Sequence, residues 1–323
     1  MISAAGWPLW AVGILFICGL VLIVKGGDLF VDSAVWIAEV SGIPKFIIGA
    51  TVVSFATTLP ELLVSAIGAA RGSNAIAIGN AVGSVTANTG LIMAVSIICI
   101  PAAVSRKTYS VKSVLLLAAT VILFAASACG RFPVWGSSLL LGIFAASVYE
   151  SVTSAKAAAG ATDKAEIEKG SIPANILKFI IGAAGIVIGA DFLVSSATEG
   201  AAALGVSEAV ISATVVAVGT SLPELVTTVT AIVKRQSPLS VGNIIGANLI
   251  DIAVILPVCS FISGQKLYSC PQNVFLDLPV CLAVLIIAII PMLIKGRFYR
   301  IQGAALLAVY ISYVIFISFF NPF

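Results

Sequence analysis

The sequence predicts an all-α membrane protein with ten transmembrane helices arranged as two inverted repeats of five. Three observations support this fold class. The 323 residues are 60% hydrophobic and only 10% charged, with a mean hydropathy of +1.17, which is too apolar for a soluble core. Apolar runs of about 17 to 25 residues, long enough to cross a bilayer, recur from end to end. One polar motif also occurs twice, each time inside such a run.

Charged and Gly/Pro-rich breaks divide the chain into ten candidate helices, which begin near residues 8, 44, 77, 110, 133, 172, 207, 239, 274 and 300. The first and sixth keep a helix-compatible pattern well beyond a minimal span, through residues 39 and 203. We expect each of them to form one tilted helix of about 30 residues, because a bilayer tolerates this excess length through tilt.

Basic residues are distributed unevenly between the predicted loops. The loops after odd-numbered helices hold Lys45, Arg106, Lys107, Lys112, Lys156, Lys164, Lys169, Lys178, Lys234, Arg235, Lys295, Arg297 and Arg300. The opposite side holds Arg71, Arg131 and Lys266. Because basic loops stay in the cytoplasm, this asymmetry predicts a multi-pass plasma-membrane protein with both termini extracellular. The polar linker 154–171 then lies in the cytoplasm.

The repeated motif reads FATTLPELLVS at residues 55–65 and AVGTSLPELVT at 217–227. Glu61 and Glu224 are 163 residues apart, and the same offset pairs GGDLFVDSA at residue 26 with GADFLVSSA at residue 189. A single ungapped register predicts two homologous halves, residues 1–153 and 172–323. Since each half has an odd number of helices, the second is inserted upside down, and equivalent mid-membrane positions meet.

Each copy of the motif contains a proline inside an apolar run. Pro60 and Pro223 lack an N–H and clash with the carbonyl groups of Ala56 and Gly219, one turn earlier. We therefore expect helices 2 and 7 to be broken at the membrane midplane. Non-helical backbone at that depth is tolerated where it is buried in protein or lines a cavity, and its free carbonyl groups can coordinate cations.

Three carboxylates are predicted to lie inside the membrane. Glu61 and Glu224 follow the two prolines, and Asp251 lies in the middle of helix 8. Each costs about 2.5 to 3.5 kcal/mol at the centre of a membrane helix. No Lys or Arg lies at a matching depth in helices 2, 3, 7 or 8, so cations or protons must offset the charge. Asn88 follows Glu61 by the same spacing that separates Asp251 from Glu224, which makes Asn88 and Asp251 equivalent.

The candidate ligands are all oxygen atoms. Hydroxyl groups accompany the prolines, and another precedes Asn88 by one helical turn: Thr57, Thr58, Thr220, Ser221 and Ser84. Such a set suits hard cations, Ca²⁺ and Na⁺ more than Zn²⁺ or copper. The chain contains no histidine, its six cysteines are scattered singly, and its net charge is only +3. These features argue against an enzyme, a cofactor site or a nucleic-acid partner.

The motifs TTLPE and TSLPE, each followed by a GNxxG segment that leads to Asn88 or Asp251, resemble the two α-repeats of the cation/Ca²⁺ antiporter superfamily. The resemblance is to the Na⁺/Ca²⁺ exchanger family in its prokaryotic ten-helix form. It implies a secondary antiporter that exchanges Ca²⁺ for Na⁺ across the lipid bilayer by alternating access. It also implies that helices 1 and 6 slide against the rest of the molecule.

The resemblance further implies a role for each matching residue. Glu61 and Glu224 would be central ligands shared by both ions, and Asn88 with Asp251 would complete the middle site. Backbone oxygens would come from Thr57 and Thr220 for Ca²⁺, and from Ser54 and Ala217. The hydroxyl groups of Thr58, Ser221 and Ser84 would help to form Na⁺ sites. One departure affects a Na⁺ ligand, because Ala247 stands where relatives generally carry a hydroxyl.

Several alternatives remain at this stage. The coupling ion could be H⁺, because buried carboxylates can take protons in place of Na⁺. A K⁺-assisted exchanger of the same fold is a further option, since Asp251 is anionic where some relatives have Asn. A cation channel is less favoured, because a channel needs no paired interior glutamates. One chain is sufficient for the site, and the oligomeric state is unknown.

Other polar residues have predicted structural roles. Lys25 and Asp28, three residues apart, can form a local pair. Asn80 and Asn243 are expected to form interhelical hydrogen bonds. Glu150 and Asp277 are expected at the membrane interface.

Overall fold

The computed structural model describes residues 6–70, 74–99, 106–128, 130, 132–159, 172–203, 221–264, 267–269 and 271–320, and these are predominantly helical. The helices are α1 (Leu9–Ser41), α2 (Lys45–Thr57), α3 (Leu59–Ala70), α4 (Asn74–Ala87 continuing through Asn88–Met93 to Ala94–Cys99), α5 (Arg106–Ser127), α6 (Val134–Ala159), α7 (Ile172–Ala203), α8 (Leu222–Val233), α9 (Ser237–Ile250 continuing through Asp251–Ile255 to Leu256–Ile262), α10 (Asn273–Lys295) and α11 (Arg300–Phe320).

The described helices form a polytopic membrane protein. Eight of them are long and apolar enough to cross a bilayer, and the bent pair α2 and α3 makes a ninth span if counted as one. Helix α8 is apolar but has only 12 residues, and residues 204–220 before it lie outside the described part. The count of ten spans therefore stays a prediction. The two long helices are confirmed, since α1 has 33 residues and α7 has 32.

The predicted break of helix 2 is confirmed. Helices α2 and α3 meet at an angle of 43°, with Thr58 between them. Pro60 is the second residue of α3, and the Leu62 N–H donates to the Thr58 carbonyl at 3.1 Å as helical hydrogen bonding resumes. Pro223 has the corresponding position in the first turn of α8. The part of helix 7 that would precede this turn falls outside the described residues.

Helices α4 and α9 each widen into a π-helical turn. The turn in α4 covers Asn88–Met93, and the turn in α9 covers Asp251–Ile255. They begin at Asn88 and Asp251, the two residues that the repeat makes equivalent. A π turn inside an α-helix is rare and often marks a functional site. The sequence analysis did not predict these turns.

Helices α1 and α7 cross with their backbones in close contact. A Cβ atom on Gly19 would lie 3.0 Å from the Gly189 carbonyl oxygen, and one on Gly26 would lie 2.9 Å from the Gly182 carbonyl oxygen. The order of these contacts makes the two helices antiparallel. Under the offset of 163 residues, Gly19 corresponds to Gly182 and Gly26 to Gly189, so each contact is the equivalent of the other. A two-fold relation between the halves requires such an exchange.

Helix α9 lies at the centre of the molecule. Its apolar stretch is 83% buried, compared with 17% for α11 on the outside. It packs directly on α2, where a Cβ atom on Gly246 would lie 2.6 Å from the Ala50 carbonyl oxygen. Because α2 and α9 each carry part of a repeated motif, this contact brings the two motif regions together in the interior.

Lys112 does not lie in a loop as predicted. Helix α5 begins at Arg106, several residues earlier than expected, and the Lys112 side chain is only 1% exposed. Its Nζ lies 3.4 Å from Glu150 Oε2 and donates to the Ser151 hydroxyl at 2.5 Å. A buried ammonium group needs such partners, since desolvation without them is costly. Lys112 thus joins α5 to α6, and Glu150 is part of this internal pair.

The local pair predicted for Lys25 and Asp28 is not formed, and Asp277 has partners inside the protein. Asp277 is buried, and its carboxylate accepts hydrogen bonds from the Tyr313 hydroxyl at 3.0 Å and from Asn273 Nδ2 at 2.9 Å. Its predicted position at the membrane interface stays a prediction. Asp28 forms its ion pair with Lys234 at 3.2 Å rather than with Lys25. Lys234 follows α8, so this pair joins α8 to α1.

Candidate functional site

Glu61 is buried in the first turn of α3, immediately after the break. Neither of its carboxylate oxygens has a hydrogen-bond partner among the described residues. Its backbone is held in place, because Asn80 Nδ2 donates to the Glu61 carbonyl at 3.3 Å and to the Ser65 hydroxyl at 2.9 Å. This confirms the interhelical role predicted for Asn80. The turn is therefore fixed to α4 while the carboxylate remains free to bind.

Glu224 occupies the matching place in the second half, buried in the first turn of α8. The Thr58 hydroxyl donates to Glu224 Oε1 at 3.2 Å, while Oε2 has no partner within the described part. Since Thr58 lies at the break of the first half, the two copies of the motif are in direct contact. Thr58 is equivalent to Ser221 and not to Glu224, so the contact joins the two motifs, and the meeting of equivalent positions stays a prediction.

The hydroxyl groups before Pro60 share one acceptor. The Ser54 carbonyl accepts from the Thr58 N–H at 2.9 Å, from the Thr58 hydroxyl at 2.7 Å and from the Thr57 hydroxyl at 3.3 Å. The Thr57 hydroxyl also lies 3.4 Å from Asn243 Oδ1, which is the predicted interhelical contact of Asn243. Each threonine hydroxyl has two acceptors within reach but only one proton, so it donates to one of them at a time. The lone pairs of the hydroxyl oxygen stay available to a cation.

Asn88 and Asp251 are both fully buried at the start of their π turns. Both carboxylate oxygens of Asp251 and the Oδ1 atom of Asn88 lack partners in the described ranges. Asn88 Nδ2 donates to Asn248 Oδ1 at 3.2 Å, and Asn248 Nδ2 donates to the Thr89 hydroxyl at 2.8 Å. Sequence reasoning missed Asn248 and Thr89. The available signal was an amide in an apolar helix, three residues before Asp251.

The remaining predicted residues are also interior where they are described. Ser84 is buried on α4, and Ser221 is buried directly before α8 with a hydroxyl that has no partner in the described structure. Ala247 is fully buried, so the missing hydroxyl is a change in the interior. Thr220 and Ala217 lie outside the described residues.

The site concentrates negative charge without a basic partner. Glu61 interacts electrostatically with Glu224 and Asp251, and Asp251 with Glu224. The ion pairs of the described residues involve Lys45, Lys112 and Lys234, and none of them includes these three carboxylates. Burying an unpaired charge in a medium of low polarity is strongly unfavourable. Cations or protons bound to the carboxylates would supply the compensating charge.

The chemistry of these atoms fits Ca²⁺ and Na⁺ as cargo. Seven buried oxygens of the candidate site residues have no protein donor in the described structure: both of Glu61, one of Glu224, both of Asp251, Asn88 Oδ1 and the Ser221 hydroxyl. No three carboxylate, thiolate or imidazole groups in the described ranges are compact enough to hold a metal by themselves. Hydroxyl, amide and backbone oxygens would complete the shell, as they do for Ca²⁺, which takes six to eight oxygens.

Buried carboxylates that interact electrostatically beside a broken helix are typical of a cation-transporting membrane protein. The model of the sodium/calcium exchanger protein family matches this chain over residues 11–153 and again over 174–319. The chain therefore belongs to the sodium/calcium exchanger family. The second match begins 163 residues after the first, the same offset that relates Glu61 to Glu224.

Individual relatives cover almost the whole chain. An uncharacterized membrane protein of Methanocaldococcus jannaschii, MJ0091, is 33% identical over 92% of this chain and 94% of its own length. The sodium/calcium exchanger MaX1 of Methanosarcina acetivorans is 28% identical over 94% and 97%. Among solved structures, the sodium-calcium exchanger NCX_Mj soaked with 10 mM Na⁺ matches with a TM-score of 0.81 and 31% identity, covering 97% of this chain and 100% of the other. The protein is thus an exchanger and not an enzyme.

Proposed function

We propose that this protein exchanges Ca²⁺ for Na⁺ across the plasma membrane by alternating access. The observation that carries the proposal is the set of five buried carboxylate oxygens, on Glu61, Glu224 and Asp251, that have no donor among the described residues. These groups need cations, and both Ca²⁺ and Na⁺ are hard enough to prefer them. The two ions compete for the Glu61 and Glu224 centre, so binding of one favours release of the other.

The ligand assignment is the one that the resemblance to the family implies. The carboxylates of Glu61 and Glu224 bind both ions, and Asn88 with Asp251 closes the middle of the site. Ca²⁺ also takes the backbone oxygens of Thr57 and Thr220. Na⁺ takes the hydroxyl groups of Thr58, Ser84 and Ser221 and the backbone oxygens of Ser54 and Ala217. The contact between Thr58 and Glu224 supports a site built from both halves.

The proposed architecture has ten helices in two inverted repeats, with both termini outside and the linker 154–171 in the cytoplasm. The antiparallel crossing of α1 and α7 supports the inversion, because its two glycine contacts exchange under the repeat. These two helices would move together against the rest of the protein. A single chain contains the complete site, so a monomer is sufficient for exchange.

Charge neutralisation couples binding to the movement. With the site empty, alternation would carry three uncompensated carboxylates through a closed, poorly polar interior, which has a high electrostatic cost. A bound Ca²⁺ or Na⁺ removes much of that cost. The protein therefore changes access readily when loaded and slowly when empty. Exchange then requires only two conditions: the empty protein changes access slowly, and the two ions compete for the Glu61 and Glu224 centre.

Flux through the purified protein in sealed proteoliposomes tests the proposal. With Na⁺ inside and ⁴⁵Ca²⁺ outside, we expect Ca²⁺ uptake that stops when the Na⁺ gradient is collapsed by a Na⁺ ionophore. A pH gradient imposed without Na⁺ should drive no uptake. Uptake that follows only the pH gradient would identify H⁺, and not Na⁺, as the coupling ion. The buried Ala247 would explain that outcome, because it lacks the hydroxyl group that relatives generally carry as a Na⁺ ligand. Downhill Ca²⁺ flux without any counter-ion would indicate a channel.

A further inference from the structure

We propose that Asn248 is a positioning residue that turns the Asn88 side chain so that its oxygen, not its nitrogen, faces the cation. This inference rests on the proposed function. Asn248 lies on α9, is fully buried, and contacts the α4 π turn at two successive residues. Its Oδ1 accepts from Asn88 Nδ2 at 3.2 Å, and its Nδ2 donates to the Thr89 hydroxyl at 2.8 Å.

The need for such a residue comes from the chemistry of an amide. An Asn side chain has an acceptor on one side and two donors on the other, and only the acceptor can bind a cation. Asn88 Nδ2 is committed to Asn248, while Asn88 Oδ1 is buried without a partner among the described residues. If the Asn88 amide were rotated by half a turn, its oxygen would face the Asn248 oxygen, and its N–H groups would take the place of the unpartnered oxygen. Asn248 therefore selects the binding orientation.

The two halves differ in the way that this role requires. Asp251, which is equivalent to Asn88, carries two chemically identical oxygens and has no orientation to select. Its half of the site needs no such partner. The position equivalent to Asn248 in the first half is Val85, which is apolar. The second half thus supplies an amide, Asn248, that orients Asn88 of the first half. The first half has an apolar residue, Val85, at the equivalent position, because Asp251 needs no orienting partner.

The Thr89 hydroxyl completes the chain of hydrogen bonds. It accepts from Asn248 Nδ2, which turns Asn248 Oδ1 toward Asn88. Partners that orient a metal ligand in this way typically change metal affinity by roughly 10- to 100-fold when they are removed. Asn248 therefore contributes to affinity without touching the ion.

The test combines Asn248→Leu with Asn88→Asp. Leucine keeps the volume of Asn248 and removes both polar groups, and we expect Asn248→Leu to weaken equilibrium ⁴⁵Ca²⁺ binding roughly 10-fold or more. In the Asn88→Asp background, the same change should weaken binding by less than about threefold, because a carboxylate presents oxygen in either orientation. A loss of equal size in both backgrounds, or no loss in either, would overturn the inference.

A matched control uses the same pair of helices. The hydroxyl groups of Ser96 on α4 and Ser240 on α9 are hydrogen-bonded at 3.3 Å. Ser240→Ala removes this contact without affecting Asn88, and it should leave Ca²⁺ affinity unchanged. If Ser240→Ala reduced the Ca²⁺ affinity as much as Asn248→Leu does, the effect would come from general packing between the two helices. That result would also overturn the inference.

A second variant covers the case in which Asn248→Leu does not fold. Thr89→Val removes only the hydroxyl that orients Asn248, so we expect a smaller loss of Ca²⁺ affinity that again disappears in the Asn88→Asp background. Persistence of that loss in the Asn88→Asp background would contradict the proposal. Failure of the proposed function is recognised separately, because the unmodified protein would then show no Na⁺-sensitive Ca²⁺ binding.

Discussion

The Thr58 hydroxyl donates a hydrogen bond to Glu224 Oε1 at 3.2 Å, which links the break in the first half to the carboxylate of the second. The bond leaves Glu224 Oε2 without a partner in the described structure. It therefore orients the carboxylate without occupying it. The Thr58 oxygen keeps its lone pairs when it donates this bond. This contact thus joins the two halves of the candidate site.

Neutralising either central glutamate should abolish transport. Glu61→Gln and Glu224→Gln keep the shape of the side chain and remove its charge. We expect Ca²⁺ flux to fall roughly 30-fold or more, since removing one partner of a buried pair of opposite charges, here the glutamate and its cation, costs about 2 to 5 kcal/mol. The measurement is ⁴⁵Ca²⁺ uptake driven by a Na⁺ gradient in proteoliposomes.

The matched control for this prediction is Glu39→Gln. Glu39 is 61% exposed and forms a surface ion pair with Lys45, and such pairs contribute little to stability. Its substitution should leave uptake near that of the unmodified protein. Normal flux in Glu61→Gln or Glu224→Gln would remove that residue from the mechanism.

Restoring the hydroxyl at position 247 should strengthen Na⁺ binding. Ala247→Ser adds one oxygen inside the site, and one polar contact contributes about 0.5 to 1.5 kcal/mol. We expect the Na⁺ concentration for half-maximal exchange to fall roughly two- to tenfold. Ala288→Ser buries an equal hydroxyl on α10, outside the site, and should have no such effect. If Ala247→Ser leaves the Na⁺ dependence unchanged, another oxygen already fills the role.

The crossing of α1 and α7 should not tolerate a methyl group. In Gly26→Ala, the new Cβ would lie 2.9 Å from the Gly182 carbonyl oxygen and from the Ile186 nitrogen, so the helices must separate. Overpacking of this kind typically costs about 1 to 3 kcal/mol. We expect a lower melting temperature in detergent, measured by the loss of the monodisperse peak on heating.

Gly13→Ala provides the control on the same helix. No heavy atom of the described structure lies within 4 Å of the Cβ that it would introduce. Alanine also favours the helix over glycine, so the melting temperature should stay the same or rise slightly. Equal destabilisation by both substitutions would argue against the close backbone contact.

The ion pairs of Lys234 should restrain movement of α1. Lys234 Nζ lies 3.2 Å from Asp28 Oδ1 and 2.7 Å from Asp32 Oδ1, and these bonds join α8 to α1. Thr230 lies under this contact, since its hydroxyl would be 2.9 Å from a Cβ on Gly27. Partly exposed ion pairs contribute about 0.2 to 1 kcal/mol each, so the loss of both in Lys234→Met should expose this region roughly two- to thirtyfold more often.

A single cysteine reports this opening. Thr230→Cys, in a protein whose six native cysteines are replaced, should react faster with a water-soluble thiol reagent when Lys234→Met is present. Lys295→Met removes a positive charge at the end of α10 and should not change the rate. Unchanged reactivity in the Lys234→Met protein would mean that the two ion pairs do not hold α1 closed against α8.

Local features of the chain were predictable because they depend on neighbouring residues. Pro60 breaks its helix through a missing N–H and a clash one turn away, and the bend at Thr58 follows directly from its position. The lengths of α1 and α7 follow from uninterrupted apolar pattern. The equivalence of Asn88 and Asp251 follows from the repeat, and both residues indeed open a π turn.

The sequence by itself determined the membrane fold class, the break at Pro60 and the oxygen-rich residues of the two motifs, since hydropathy, proline sterics and spacing are properties of the local chain. Only the tertiary structure decided which groups meet. The pairing of Thr58 with Glu224, the amide contact between Asn248 and Asn88, and the burial of Lys112 against Glu150 all join separate helices. Packing brings these partners within hydrogen-bonding distance, and a buried polar group is stable only where packing supplies one.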